Sequence, residues 1–157
     1  MKKLQIIKLI VSLAFPVAIG SIAGFFTAAG TSGWLDTLNS PSFRPPNWIF
    51  GPVWTVLYLV MGFSLFLIWN EKASKQRNQA LTIFLVQLTL NFFWSFIFFS
   101  FHMIGVALIE IILLWASIIT MIVLFYKIKT LAAYINIPYL LWVTFATVLN
   151  GSYYFLN

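Results

Sequence analysis

The stretch PSFRPPNWIFGPVWTVLYLVMGFSLFLIWNEK, residues 41–72, joins a proline-rich loop to a long apolar run that ends in charged residues. The run from Phe50 to Trp69 contains no charged side chain and has the roughly 20 residues that a helix needs to cross a bilayer. Its hydrophobicity is continuous, whereas membrane barrel strands alternate. Because the bilayer core contains no water, such a run must satisfy its own backbone groups as a helix. This stretch predicts a transmembrane helix.

The composition of the whole chain is that of a membrane protein. Of its 157 residues, 62% are hydrophobic and 8% are charged, against about 45–50% and about 25% in soluble domains. The net charge is +6, but the basic residues are spread over short connectors, which excludes a nucleic-acid-binding face. The absence of Cys excludes disulfides, thiolate nucleophiles and Cys-based zinc sites. The length suits one domain, residues 1–157.

Hydropathy along the chain predicts an all-α membrane protein, a five-transmembrane-helix bundle with a structured loop between the first and second helices. A cleaved leader is the alternative for the first apolar run, but the run is longer than the apolar core of a typical signal peptide. The long connector 28–48 is rich in Gly, Ser, Asn and Pro, which favours a loop. The predicted spans are 9–26, 50–69, 80–101, 104–126 and 135–155.

Lys and Arg are distributed unequally between the two sides of the membrane. Eight of the nine basic residues precede the first span or lie in the connectors after the second and fourth spans. Because cytoplasmic loops carry the excess of Lys and Arg, the N-terminus is predicted to be cytoplasmic and the C-terminus outside. Arg44 is then the only cation on the outer side. We expect a bacterial plasma membrane rather than a mitochondrial outer membrane.

Two ionisable residues in or near the spans are candidates for function. Glu110 is the only acidic residue inside a predicted span, so it is either a proton or cation site or a residue favoured by the positive end of the fourth helix. We favour the second interpretation, because Glu110 lies only a few turns after the break at His102. The lone His102 lacks the partners of a metal site, and we predict none.

Helical spacing groups several uncharged residues. Gln87, Asn91 and Trp94 are four and three residues apart and share one face of the third helix. They either hydrogen-bond to neighbouring helices or line a pocket, and spacing does not decide between these. Gly20 and Gly24 permit a close helix approach, within the bundle or in a dimer.

Tryptophan occurs seven times. Three of these residues lie at predicted span boundaries, where an interfacial belt accounts for them: Trp34, Trp48 and Trp69. Four lie within spans, either as core packing or as stacking surfaces for a flat apolar ligand: Trp54, Trp94, Trp115 and Trp142.

Several motifs occur in order along nearly the whole chain. They are WLDTL at 34–38, PSFRPPNWIFGPVWTVLY at 41–58, QLTLNFFWS at 87–95, and PYLLW at 138–142 with FATVLN at 145–150. Together they resemble the signature of the tryptophan-rich TspO/MBR family, the family of the translocator protein or peripheral-type benzodiazepine receptor. Motifs of this length are specific to a family. Their order along the chain also agrees with the predicted five-helix layout.

The resemblance implies a hydrophobic pocket beneath the first loop that binds porphyrins such as protoporphyrin IX as ligands, without another cofactor. We therefore expect a tetrapyrrole-binding protein that acts as a sensor, scavenger or transporter, and family members often form homodimers. Some bacterial members are associated with light- and oxygen-dependent porphyrin breakdown, in which Trp54 and Trp142 would take part in redox steps. By position, the ligand-binding residues would be Pro45, Pro46, Phe50, Gly51, Val53, Trp54, Asn91, Trp94, Val106, Trp142, Ala146 and Leu149.

The chemistry of these residues suits a flat disc with two propionates. Trp54 and Trp142 offer stacking faces, and Asn91 offers a hydrogen bond. Arg44 either pairs with a propionate or is a solvated loop charge. Because the spans contain no His or Cys, a metal-free porphyrin is a more natural ligand than axially ligated haem.

The chain departs from the family pattern at several positions. Phe43 replaces a usual Trp before the paired prolines, and Val106 replaces an aromatic residue of animal members. Gly151 and Ser152 occupy the Tyr positions of the animal cholesterol motif, and no basic residue follows them. We therefore do not expect cholesterol recognition by that motif.

Three functions remain open at this point. Tetrapyrrole binding is the leading hypothesis, and a porphyrin-degrading enzyme is the alternative. Because the sequence contains no nucleophile triad or nucleotide-binding loop, such an enzyme would depend on the chemistry of the bound porphyrin. A small proton-coupled transporter that uses Glu110 ranks last.

Overall fold

A computed structural model describes residues 3–31 and 33–157, with side chains described for all of these except 29–31. Five helical segments are long and apolar enough to cross a membrane: Lys3–Ala28, Asn47–Trp69, Lys75–Ser100, Ile104–Tyr126 and Thr130–Leu156. No strand occurs in the described ranges. The predicted five-helix, multi-pass fold is confirmed. The helices are α1 (Lys3–Thr31), α2 (Trp34–Thr37), α3 (Asn47–Trp69), α4 (Lys75–Ser95), α5 (Ile104–Tyr126), α6 (Thr130–Tyr134) and α7 (Ile137–Leu156).

The helix ends differ from the predicted spans where polar residues continue a helix beyond its apolar core. The helix predicted at 80–101 begins at Lys75, because Ser74 caps it by accepting a hydrogen bond from the Arg77 backbone N–H at 3.1 Å. Its last turn, Phe96–Ser100, is a π-helix that continues α4. The predicted fifth span, 135–155, is in fact α7 preceded by the short helix α6.

Among the five long helices, α1 packs against α3 and α4, α3 also packs against α4, α4 against α5, and α5 against α7. Glycines allow the closest approaches between α1 and α3. A Cβ atom on Gly62 would lie 2.6 Å from the Ser12 backbone oxygen and 2.8 Å from the Leu13 Cα, and the Tyr58 ring occupies the corresponding space at Gly20. Gly20 therefore serves packing inside the bundle. Gly24 has open space beside it, since none of the described atoms lies within 4 Å of an added Cβ.

The first loop is fastened to the C-terminal end of α7. The Asn39 backbone N–H donates to the Asn157 side-chain oxygen at 2.8 Å, and the Asn157 amide donates back to the Asn39 carbonyl at 3.1 Å. The hydroxyls of Ser40 and Tyr153 are 3.2 Å apart, and the Phe43 ring meets the Phe145 ring edge-on. These contacts confirm that the loop is structured.

A second contact joins the loop region to the start of α5. The Trp34 indole of α2 stacks on the His102 imidazole, with ring centroids 4.1 Å apart and planes 13° apart. His102 has φ 57°, a left-handed conformation that non-glycine residues rarely adopt. The stack therefore accounts for His102 as a structural residue between α4 and α5.

Candidate functional site

A cavity of about 500 Å³ lies among α1, α3, α7 and the end of α4, next to the first loop. Its volume is within the range of pockets that hold small molecules. Most of its lining is apolar or aromatic. The lining comprises Val17, Gly20, Ser21, Ala23, Gly24, Thr27, Ala28, Leu35, Arg44, Asn47, Trp48, Phe50, Gly51, Trp54, Thr55, Tyr58, Trp94, Ser95, Phe98, Phe99, Trp142, Ala146, Leu149, Asn150 and Tyr153.

The cavity brings together eight of the residues that the sequence singled out. They come from the loop and from three helices: Arg44, Phe50, Gly51, Trp54, Trp94, Trp142, Ala146 and Leu149. Their contact with a ligand stays a prediction.

Five other predicted residues lie outside the described lining: Pro45, Pro46, Val53, Asn91 and Val106. Asn91 is only 2% exposed, behind the cavity wall. Val106 is 45% exposed on the outer surface of α5, a helix that contributes none of the described lining residues. A motif position fixes a residue's place along a helix, whereas the neighbouring helices decide which face is turned inward.

Neighbouring rings hold the two central indoles in place. Trp54 stacks on Tyr58 at a centroid distance of 5.6 Å and meets Tyr139 edge-on at 6.3 Å. Trp142 meets Phe50 edge-on at 5.9 Å and lies 5.5 Å from the Phe145 ring. Because such contacts restrict ring rotation, the cavity keeps preformed aromatic walls.

The indole N–H groups of Trp94 and Trp142 differ in whether they have a hydrogen-bond acceptor. The Trp94 Nε1 donates to the Asn150 Oδ1 at 3.1 Å, and the Asn150 amide donates in turn to the Ile104 carbonyl, which links α4, α7 and α5. The Trp142 Nε1 is buried and has no hydrogen-bond partner within the described ranges. Trp142 therefore retains an unused donor at a position that lines the cavity.

A buried hydrogen-bond chain runs behind the cavity and joins three helices. The Tyr58 hydroxyl donates to the Asn91 Oδ1 at 2.5 Å. The Asn91 amide donates to the Tyr139 hydroxyl at 3.1 Å, and that hydroxyl donates to the Gln87 Oε1 at 2.8 Å. All three residues of the polar face predicted on the third span therefore bond neighbouring helices, and Trp94 alone among them also lines the described cavity.

Replacing Asn91 by leucine should destabilise the bundle, because the buried Tyr58 hydroxyl loses its acceptor. An unsatisfied buried group costs about 1–3 kcal/mol, although hydrogen bonds between membrane helices average nearer ~0.6 kcal/mol. We expect a thermal unfolding midpoint in detergent that is lower by several degrees. The control is Thr144→Val, which removes the exposed hydrogen bond from Trp115. Equal midpoints for the two variants would contradict the role of Asn91.

Arg44 is an ordered cation in the cavity lining. Its guanidinium donates to the Ser40 hydroxyl at 3.1 Å and to the Asn47 Oδ1 at 2.9 Å, and it forms an ion pair with Asp36 at 3.4 Å. The Arg44 side chain is only 18% exposed. Of the two sequence interpretations, a freely solvated loop charge is therefore wrong.

Comparison with known proteins identifies the architecture. The sequence model of the TspO/MBR family matches residues 12–156. The chain belongs to the TspO/MBR family. It is 38% identical to the tryptophan-rich protein TspO of Archaeoglobus fulgidus, over 98% of this chain and 99% of that protein. It is also 37% identical to the human translocator protein, over 74% of this chain and 70% of that protein.

A third relative bears a name that refers to sensing. The tryptophan-rich sensory protein of Cereibacter sphaeroides is 32% identical, over 92% of this chain and 90% of that protein. The family relationship thus spans archaeal, bacterial and animal proteins.

Glu110 lies near the start of α5, where a carboxylate is favoured by the positive end of the helix. It is 9% exposed and lies on the buried side of α5, with Ala107, Ile111 and Leu114. Neither carboxylate oxygen has a hydrogen-bond partner within residues 3–31 and 33–157. Glu110 lies outside the described lining of the cavity, so a role in ligand contact finds no support in its position.

Sequence reasoning missed the wall that α1 contributes. This wall consists of small or β-branched residues with no chemical signature, and only Gly20 and Gly24 were noted, as packing residues. It also missed Tyr58, which lies one turn after Trp54 in the same motif, and Tyr153, which follows the last motif. The wall residues on α1 are Val17, Gly20, Ser21, Ala23, Gly24, Thr27 and Ala28.

Proposed function

We propose that this TspO/MBR protein binds a porphyrin or a related tetrapyrrole in the cavity beside the first loop, as a membrane sensor, scavenger or transporter. The observation that carries the proposal is one preformed cavity lined by four indoles, those of Trp48, Trp54, Trp94 and Trp142, together with the cation of Arg44. Indoles provide large flat contact surfaces, and a guanidinium is suited to a carboxylate. The names of the sensory and translocator relatives agree with such a role.

We also infer the membrane orientation from charge. Lys8, Lys75 and Lys129 belong to the end of the bundle opposite the first loop, where Lys129 pairs with Glu71 at 3.2 Å and Lys8 donates to the Trp69 carbonyl at 3.4 Å. An excess of Lys and Arg favours the cytoplasmic side. The cavity would therefore open toward the outer half of the membrane.

Titration with protoporphyrin IX in the dark tests the proposed function. Tryptophan fluorescence of the purified protein should fall in a saturable manner, because the ligand lies against indoles. The double variant Trp54→Phe/Trp142→Phe should require a higher ligand concentration for half-saturation. Quenching that rises without saturation, or that is identical in the variant, would indicate partitioning into detergent and would refute the proposal.

Arg44→Gln should weaken binding of a porphyrin diacid more than that of its dimethyl ester. A charge-assisted hydrogen bond contributes about 1.5–3 kcal/mol, and competition from Asp36 reduces its net value. We expect the Kd of the diacid to rise roughly tenfold, equivalent to about 1.4 kcal/mol, and that of the ester to change little. The measurement is the same fluorescence titration with both ligands. Lys75→Gln, at the opposite end of the bundle, is the control, and equal losses for the two ligands would remove Arg44 from carboxylate recognition.

A further inference from the structure

We propose that the cavity is entered from the lipid bilayer, through a lateral portal between α1 and α3, by an amphiphile with a flat apolar body and an acidic group. The portal is defined by Ser21 and Gly24 of α1 together with Gly51 and Thr55 of α3. The class of ligand rests on the proposed function, whereas the portal rests on the geometry of the helix pair alone.

Exposure differs sharply between the two sides of the cavity lining. On the side of α4 and α7 the lining is closed, since Trp94, Phe98, Ala146, Leu149 and Tyr153 are all buried. On the side of α1 and α3 the four portal residues are exposed although they line the same cavity. The cavity is therefore sealed toward the bundle centre and open toward the outer surface between α1 and α3.

The spacing between α1 and α3 increases along their length toward the first loop, which agrees with the exposure of the portal residues. At Gly62 the helices are so close that an added Cβ would meet the backbone of Ser12, and Tyr58 fills the space at Gly20. At Gly24 and Gly51, nearer the loop, an added Cβ has no neighbour within 4 Å among the residues that the structure describes. Close packing at one end and open space at the other leave a gap at the level of the cavity.

The portal rim is chemically suited to contact with lipid. The Ser21 hydroxyl donates to the Val17 carbonyl at 2.8 Å, and the Thr55 hydroxyl donates to the Gly51 carbonyl at 2.9 Å. Because each hydroxyl is satisfied within its own helix, neither leaves an unpaired donor facing hydrocarbon. Small side chains on both helices leave room for a flat molecule.

The position of charge defines how the entering molecule is oriented. None of the described lining residues of α1 and α3 is charged, and the one cation, Arg44, belongs to the loop end of the cavity. An acidic group is costly in the bilayer core and stays near its surface. The apolar body can thus pass between α1 and α3 while the acidic group remains at the level of Arg44.

Alkylation of a cysteine inside the cavity tests the portal without any porphyrin. The chain contains no Cys, so Ala146→Cys places a single thiol on the buried α7 wall. In proteoliposomes, N-phenylmaleimide dissolved in the bilayer should alkylate it, and adding Gly24→Leu/Gly51→Leu should slow the reaction at least tenfold. Ser21→Leu/Thr55→Leu, which narrows the same gap while keeping both glycines, should also slow it. Phe155→Cys, a highly exposed thiol, should react equally in every background.

A variant in which the first loop is locked to α7 distinguishes entry through the portal from entry beneath the loop. Asn39 and Asn157 are hydrogen-bonded, so Asn39→Cys/Asn157→Cys can hold the loop to α7 by a disulfide, and this should leave alkylation of residue 146 unchanged. The portal is refuted if the locked loop slows alkylation as much as the filled gap does, or if both filled variants react at the original rate. Since no tetrapyrrole is used, failure of the porphyrin titration would refute the proposed function and leave this result standing.

Discussion

Gly62→Ala should lower the thermal unfolding midpoint of the protein by roughly 2–12 °C, through about 1–3 kcal/mol of overpacking. The added Cβ would lie 2.6 Å from the Ser12 backbone oxygen and 2.8 Å from the Leu13 Cα. Both are backbone atoms of α1, so no side chain can rotate to relieve the contact, and the helix itself must move. The measurement is thermal unfolding in detergent, followed by circular dichroism.

Gly24→Ala is the matched control, because it makes the same change in the neighbouring helix. No atom of the described part of the chain lies within 4 Å of the added Cβ at that position, and alanine favours a helix over glycine by about 0.8–1.0 kcal/mol. The midpoint of this variant should stay the same or rise slightly. Equal decreases in the two variants would show that the close contact at Gly62 does not limit stability.

Trp142→Ala should raise the Kd for protoporphyrin IX about 30-fold. Buried tryptophans at binding interfaces commonly contribute 2 kcal/mol or more, and each 1.4 kcal/mol is a tenfold change in affinity. Trp142 lines the cavity, is braced by Phe50 and Phe145, and carries the unused Nε1 donor. Trp142→Phe should give an intermediate Kd, since it keeps a ring and loses the donor. The measurement is a dark titration followed by porphyrin absorbance, which does not depend on the number of tryptophans.

Trp115→Ala is the control for loss of an indole. Trp115 is an exposed residue of α5 that donates to the Thr144 hydroxyl at 2.8 Å and lies outside the described lining. Its replacement should leave the Kd within about twofold, since the large losses at interfaces are confined to a few central residues. If Trp115→Ala weakens binding as much as Trp142→Ala, the ligand does not occupy the cavity.

The number and type of the long helices could be predicted from the sequence, because a continuous apolar run in the water-free bilayer core must satisfy its backbone groups as a helix. The predicted span 104–126 coincides with α5. The ends of α1 and α4 could not be predicted in the same way, because helices continue through polar residues such as Lys75 once a cap or a neighbouring helix supports them. Hydropathy also gave no sign of the π-helical turn at Phe96–Ser100.

The candidate site could be predicted only in part, and for a related reason. Trp54 and Trp142 could be anticipated because aromatic residues inside spans stand out in a motif. The directions in which Val106 and Glu110 face could not be predicted, because they depend on which helices flank α5, which no local pattern contains. The α1 wall was missed because small residues such as Ser21 leave room for a cavity without forming a motif that a sequence would reveal.

The ion pair between Arg44 and Asp36 would link the cavity to α2 if the cavity receives an acidic ligand. A carboxylate in the cavity would compete with Asp36 for the guanidinium of Arg44. Asp36 belongs to α2, and its side chain is 67% exposed. Occupancy of the cavity would then weaken the contact between Arg44 and α2, a counter-ion exchange that leaves the Asp36 carboxylate to solvent.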